Sequence, residues 1–139
     1  MTGSPRLGAA LVMGLGGGLR SFAPPVALAV HGRGPLAGPA RFIGFGAAAG
    51  ELIADKLPGM PSRFSPRGLS LRLAFSSTGG HLLAGTPGAA IAAVAAVGSA
   101  FAGSRLRTKV HGPGRQLAAA ALEDALSYSL VLTAAAALR

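Results

Sequence analysis

The sequence has few of the residues on which soluble proteins usually depend. Cysteine and tryptophan are absent, tyrosine occurs once, and only 12% of the 139 residues are charged, about half of the usual fraction. The missing cysteines exclude a disulfide framework and a thiolate metal site. Hydrophobic residues make up 50% of the chain, which excludes a disordered protein too polar to collapse. This composition predicts a protein of the lipid bilayer.

The net charge of +9 does not indicate a nucleic-acid-binding protein. The basic residues are diluted through long apolar runs, and the aromatic residues that stack on bases are not interleaved with them. His31, His81 and His111 lack the spacing of metal ligands. No serine lies in a nucleophile elbow and there is no cysteine nucleophile. We therefore expect no nucleic-acid partner, no metal, no cofactor and no enzyme activity.

The chain has 22 glycines and 30 alanines. Its five apolar runs are long enough or nearly long enough to cross about 30 Å of hydrocarbon. They predict an all-α integral membrane bundle of about five short helices in one domain, residues 1–139. The bundle has four spans if the short, polar third run is re-entrant. A signal peptide is the alternative for the first run, because Arg6 precedes it. The predicted spans are residues 7–30, 36–57, 69–85, 89–103 and 117–138.

The distribution of basic residues predicts the orientation. With five crossings and a cytoplasmic N-terminus, nine of the 13 basic residues lie inside, three lie outside and Arg20 alone lies within a span. Because cytoplasmic loops are enriched in Lys and Arg, this arrangement is favoured over four crossings.

All four carboxylates of the chain fall inside predicted spans, where each charge costs about 2.5 to 3.5 kcal/mol. Glu51 and Asp55 are four residues apart and share one helical face. Glu123 and Asp124 lie at a matching depth on the last helix. Arg20 provides a counter-charge. The predicted ion or proton site, or buried charge network, consists of Arg20, Glu51, Asp55, Glu123 and Asp124, with Lys56 and Tyr128 in support.

Two interpretations of this cluster stay open. It is either a paired network that fixes the helix register or the site of a small proton- or cation-handling transporter or channel. In the alternative function, the chain is an accessory or assembly subunit that packs against a partner membrane protein or its own copies. Small residues at four-residue spacing predict close helix packing: Gly46 with Gly50, Ser99 with Gly103, and Gly14 with Gly18.

The break in the first run also has two interpretations. Gly16, Gly17 and Gly18 precede Arg20 and a proline pair. This pattern indicates either a simple kink or a discontinuous helix whose broken ends bind an ion.

Three strings resemble those of a known group of proteins: Gly18-Leu19-Arg20-Ser21-Phe22 with the proline pair, the stretch GE-x-x-ADKLPG-x-PSR that begins at Gly50, and Glu123-Asp124-Ala125-Leu126. The chain resembles the uncharacterised small bacterial membrane proteins called domain of unknown function 4126. The resemblance implies a protein of a few helices in the bacterial cytoplasmic membrane. It brings no known activity.

Overall fold

The computed structural model describes residues 3–33, 38–54 and 65–138, and in these ranges the chain is helical, without a strand. This confirms the all-α prediction. Within these ranges the five α-helices are α1 Gly3–Leu19, α2 Ala23–Val30, α3 Arg41–Ala54, α4 Pro66–Lys109 and α5 Pro113–Ala136, with a short 3-10 helix at Gly38–Ala40.

Two of the helices that the structure describes, α4 and α5, are long and apolar enough to cross a membrane, judged by length and composition. Each begins with a proline in its first turn, where the missing N–H is not needed for the helical hydrogen bonds. The Ser65 hydroxyl caps α4 by accepting a hydrogen bond from the Gly68 amide at 3.2 Å.

Helix α4 is a hairpin of two arms, residues 66–83 and 86–109. Ala84 and Gly85 have non-helical backbone angles, and Gly85 adopts φ +66° and ψ −154°, a conformation open almost only to glycine. A Cβ added to Gly80 would lie against the Gly88 carbonyl. These residues would be about 12 Å apart in one continuous helix, so the arms run antiparallel. The two helices predicted at residues 69–85 and 89–103 therefore correspond to the first and the second arm.

Three consecutive glycines let α1 contact three neighbouring segments closely. Each added Cβ would meet a different neighbour: Val131 of α5 at Gly16, Ser76 of the first arm at Gly17, and Ala96 of the second arm at Gly18. Successive helical residues are turned by about 100°, so three residues in a row face three directions. Gly14 likewise packs against Ala92. The predicted close packing at Gly14 and Gly18 is confirmed.

The break predicted in the first run divides the span 7–30 into two helices, α1 and α2, because the chain turns back after Leu19. Helix α2 packs on α5, and the Pro24 ring lies where a Gly17 side chain would be. Ala27 and Leu28 belong to the same buried cluster as Ala10 and Met13 of α1. Because α2 has only eight residues, it returns about 12 Å along the bundle.

Helix α3 packs chiefly on α2 and buries only Gly44 and Ala48. Its Phe42 and Ile43 side chains are 66% and 73% exposed. A Cβ added to Gly46 or Gly50 would meet nothing within 4 Å. The predicted packing role of these two glycines is therefore wrong for the helices that the structure describes.

The helices define two ends of the bundle. The turn at residues 110–112 joins the second arm to α5 at one end, which we call the loop end. The start of α1, the break at Gly85 and the end of α5 lie at the other, which we call the Gly85 end. The contacts of α1 give this assignment of the ends. Helix α1 is antiparallel to α5, where Gly16 lies beside Ser127. It is also antiparallel to the first arm, where Met13 lies beside Gly79.

Candidate functional site

Arg20 is the residue at which α1 stops, and its side chain is completely buried. The guanidinium Nε donates a hydrogen bond to Asp124 Oδ1 at 2.5 Å, and Nη2 also contacts this oxygen. Asp124 lies eleven residues after the first residue of α5 and twelve before its last, so the ion pair is about halfway along this helix. The predicted pairing of Arg20 with an acid of the last helix is thereby found.

The Glu51 carboxylate, on α3, binds the backbone at the start of α2. It forms no ion pair among the contacts that the structure describes. Its two carboxylate oxygens accept hydrogen bonds from the backbone amides of Ser21 at 2.9 Å and Phe22 at 3.1 Å. Phe22 is the N-cap residue of α2 and its own side chain supplies no cap. The positive end of a helix attracts a negative charge. Glu51 therefore caps α2 from the neighbouring helix α3.

Tyr128 completes the cluster. It follows Asp124 by one helical turn on α5, and its phenol interacts electrostatically with Glu51, Arg20 and Asp124. One guanidinium, two carboxylates and one phenol from three parts of the chain thus come together at the break between α1 and α2. We call Arg20, Glu51, Asp124 and Tyr128 the Arg20 cluster.

Two further polar side chains bind the last carbonyl groups of α1. The Arg72 Nε donates to the Gly18 carbonyl at 3.0 Å, and the Ser127 hydroxyl donates to the Gly16 carbonyl at 2.8 Å. Both side chains are buried. A helix that ends inside a protein leaves its final carbonyls without helical partners. Arg72 satisfies one of these groups at Gly18. Ser127 adds a second hydrogen bond to the Gly16 carbonyl, which also accepts one from the Arg20 amide at 3.1 Å.

The role of Arg72 was not predicted from the sequence, because its charge placed it with the cytoplasmic basic residues. The prediction that Arg20 alone is buried is therefore wrong. The helical pattern of the first arm could have shown that Arg72 is buried. One face of this arm carries five buried residues: Arg72, Ser76, Gly79, Gly80 and Leu83. That face is small and polar, which is typical of a helix packed against other helices rather than against lipid.

Glu123 does not belong to the Arg20 cluster, which corrects the prediction for this residue. It accepts a hydrogen bond from Arg107 Nε at 2.9 Å. Adjacent residues of a helix point about 100° apart, so Glu123 and Asp124 face different neighbours. The predictions for Asp55 and Lys56 fall outside the described residues.

The structure also shows the positions of the predicted packing pair Ser99 and Gly103 and of one histidine, His31. Ser99 is buried against Gly18, as its packing role requires, and Gly103 is buried on the same arm. The ring Nδ1 of His31 lies 2.9 Å from the Ala27 carbonyl. In residues 3–33, 38–54 and 65–138, no three His, Asp or Glu side chains group as metal ligands.

Comparison of the chain with protein-family models, with curated proteins and with solved structures finds no match. The resemblance to domain of unknown function 4126 stays a prediction. The Arg20 cluster is thus the feature from which a function is argued.

Proposed function

We propose that the chain is a multi-pass protein of the bacterial cytoplasmic membrane that moves protons or small cations through the Arg20 cluster. Ionisable groups inside membrane proteins are rare, and they mark functional sites such as ion pathways and proton relays. The composition and the two apolar helices α4 and α5 support the location. The position of Asp124, halfway along α5, would put the cluster near the middle of the bilayer.

One observation carries this proposal: the Glu51 carboxylate binds the backbone amides at the start of α2. Discontinuous helices whose ends hold charged groups near the bilayer midplane are typical of transporters. Here the charged group at the helix end is a side chain that itself accepts protons. The break after α1 and the acid on α3 thus form one functional unit.

Proton binding at Glu51 would loosen the contact between α2 and α3. Hydrogen bonds to a charged acceptor are roughly twice as strong as bonds to a neutral one. A proton on Glu51 therefore weakens both bonds from Ser21 and Phe22. Since α3 packs chiefly on α2, its position depends on the charge of this one carboxylate.

We propose that the start of α1 lies outside, opposite to the side predicted from the sequence, and that the loop end lies in the cytoplasm, as predicted. The first run turns back at Arg20, so the start of α1 and the loop end lie on opposite sides. Under the positive-inside rule the more basic end faces the cytoplasm. Of the described basic residues, five lie toward the loop end and three toward the Gly85 end. The five residues toward the loop end are Arg67, Arg105, Arg107, Lys109 and Arg115. The three toward the Gly85 end are Arg6, Arg33 and Arg41.

Proton flux into proteoliposomes tests the function. The wild-type protein, reconstituted with a membrane potential and an enclosed pH dye, should acidify or alkalinise the vesicle interior. We expect Glu51→Gln to abolish this flux, because glutamine keeps an oxygen that accepts a backbone hydrogen bond but cannot take up a proton. Parallel assays with Na⁺ and K⁺ identify a cation as the transported ion.

The matched control is Glu123→Gln, which removes an acid from the same protein outside the Arg20 cluster. It should retain flux, provided that it elutes as the same folded species. Equal loss of flux in both variants, or no flux of any of the three ions through well-folded wild type, would contradict the proposal.

The exposed surface of α3 favours a second candidate function, an accessory subunit that packs against a partner membrane protein. Gly46 and Gly50 are open on this surface, next to exposed apolar side chains, and such small residues let a second helix approach closely. In this case Gly46→Leu should prevent assembly with the partner while Glu51→Gln should not.

A further inference from the structure

A lateral groove lies between the second arm of α4 and α5, toward the loop end. Its volume is about 460 Å³, and α1 contributes Leu15 and Leu19 to the lining. The second arm supplies both small and large residues, whereas α5 supplies mainly leucines. The main lining residues of the two sides are Gly98, Ala102 and Leu106 on the arm, and Leu122, Leu126 and Leu130 on α5.

The length of the groove fits one acyl chain. Its lining on α5 runs from Ala119 to Leu130, which is about 16 Å at the helical rise of 1.5 Å per residue. One leaflet contributes about half of the 30 Å hydrocarbon core. The groove is therefore about as long as one acyl chain. Because its lining on α5 is centred near Asp124, it crosses the bilayer midplane.

The loop end of the groove is polar and basic. A second cavity of about 470 Å³ shares Arg107, Val110 and Ala119 with the groove and adds Gln116. Arg105, Lys109 and Arg115 flank it in sequence, and Glu123, which pairs with Arg107, is the one acid of the described residues in either lining. Basic pockets beside membrane helices bind anionic lipid headgroups.

We propose that this groove binds one anionic glycerophospholipid, with an acyl chain between the second arm and α5 and the phosphate beside Arg107 and Gln116. Charge favours a lipid over a second copy of the chain. The chain carries a net charge of +9, so a parallel second copy would bring another basic loop end against the first. A lipid phosphate instead supplies the opposite charge.

Gly98→Leu tests the groove without disturbing the helix packing. A Cβ at Gly98 would meet no atom within 4 Å, and Gly98 lines the groove, so a leucine there would take up space at the groove. Gly8→Leu is the matched control, because its surroundings on α1 are equally open and it lies outside the groove. Both variants should elute as the wild type does.

Native mass spectrometry of the delipidated protein, titrated with phosphatidylglycerol or phosphatidylcholine, measures binding. We expect one phosphatidylglycerol per wild-type chain, held more tightly than phosphatidylcholine by on the order of tenfold. Gly98→Leu should weaken it by a similar factor, whereas Gly8→Leu should not. Unchanged binding to Gly98→Leu, or equal affinity for both lipids, would overturn the proposal.

A second copy in the groove is the competing outcome. The chain has no cysteine, so Gly98→Cys carries a single thiol. We expect no disulfide-linked dimer when membranes that contain this variant are oxidised. Efficient dimer formation would show that the groove is an interface between copies and would also overturn the lipid proposal.

Discussion

Single glycines decide how closely the helices of this protein approach each other. Gly18 has the Ala96 carbonyl where its side chain would be, whereas Gly46 has open space. The two residues look alike in the sequence, since each belongs to a pair of glycines four residues apart. Only the structure shows which pair lies between helices.

The contrast between these glycines gives a prediction for stability. Gly18→Ala should lower the free energy of unfolding by about 1 to 3 kcal/mol, because the methyl group would overlap a backbone carbonyl that has no room to move. Gly46→Ala should leave it unchanged or raise it by up to about 1 kcal/mol, because alanine favours the helix. Thermal unfolding in detergent, followed by circular dichroism, measures both. Equal effects of the two changes would be inconsistent with this packing.

Much of the Arg20 cluster was predictable from single residues. An arginine and acids that lie inside apolar runs are expected to form ion pairs with each other. Arg20 and Asp124 form such a pair. The partners of Glu51 and Glu123 were not predictable. Glu51 binds backbone amides that are free only because the first run breaks, and Glu123 points away from its neighbour Asp124 to Arg107.

At the scale of helices, the pattern of hydrophobicity missed the turn at Arg20, whereas the turn at Gly85 falls at the boundary between the predicted spans 69–85 and 89–103. Residues 7–30 and 66–109 are each largely apolar, yet the chain reverses at Arg20 in one and at Gly85 in the other. A turn inside a bundle needs no polar loop when side chains satisfy the freed backbone groups, as Glu51 and Arg72 do here. Mean hydropathy does not detect such a turn.

The turn at Gly85 is directly testable. Gly85→Ala should destabilise the protein by about 1 to 3 kcal/mol, because a side chain is strained at φ +66°. Gly8→Ala on α1, which is equally open but helical, should not destabilise it. Chemical denaturation in mixed micelles compares the two variants. Wild-type stability of Gly85→Ala would contradict the hairpin.

At the scale of the whole molecule, the hairpin of α1 and α2 determines the topology. Helix α1 runs toward the loop end as far as Arg20, and α2 returns only part of the way toward the Gly85 end. Helix α3 then leads back to the level of Ser21 and Phe22. The three helices together therefore amount to one crossing of the bundle. The two arms of α4 and α5 add three more. The N-terminus and the end of α5 then lie on the same side, opposite to the loop end.

This topology places the Arg20 cluster inside the bundle, away from either surface. A continuous first helix would instead carry Arg20 past its partners and leave the amides of Ser21 and Phe22 within that helix. The proposed proton or cation path and the fold therefore depend on the same reversal of the chain.

Labelling of single cysteines tests that reversal most directly, because the chain has no cysteine of its own. Ser4→Cys marks the start of α1 and His111→Cys marks the loop end; both positions are exposed. In intact bacterial cells a membrane-impermeant maleimide should label Ser4→Cys at once and His111→Cys only after lysis. Protection of both thiols in intact cells, or labelling of both, would contradict the account, because the two positions would then share one side of the membrane.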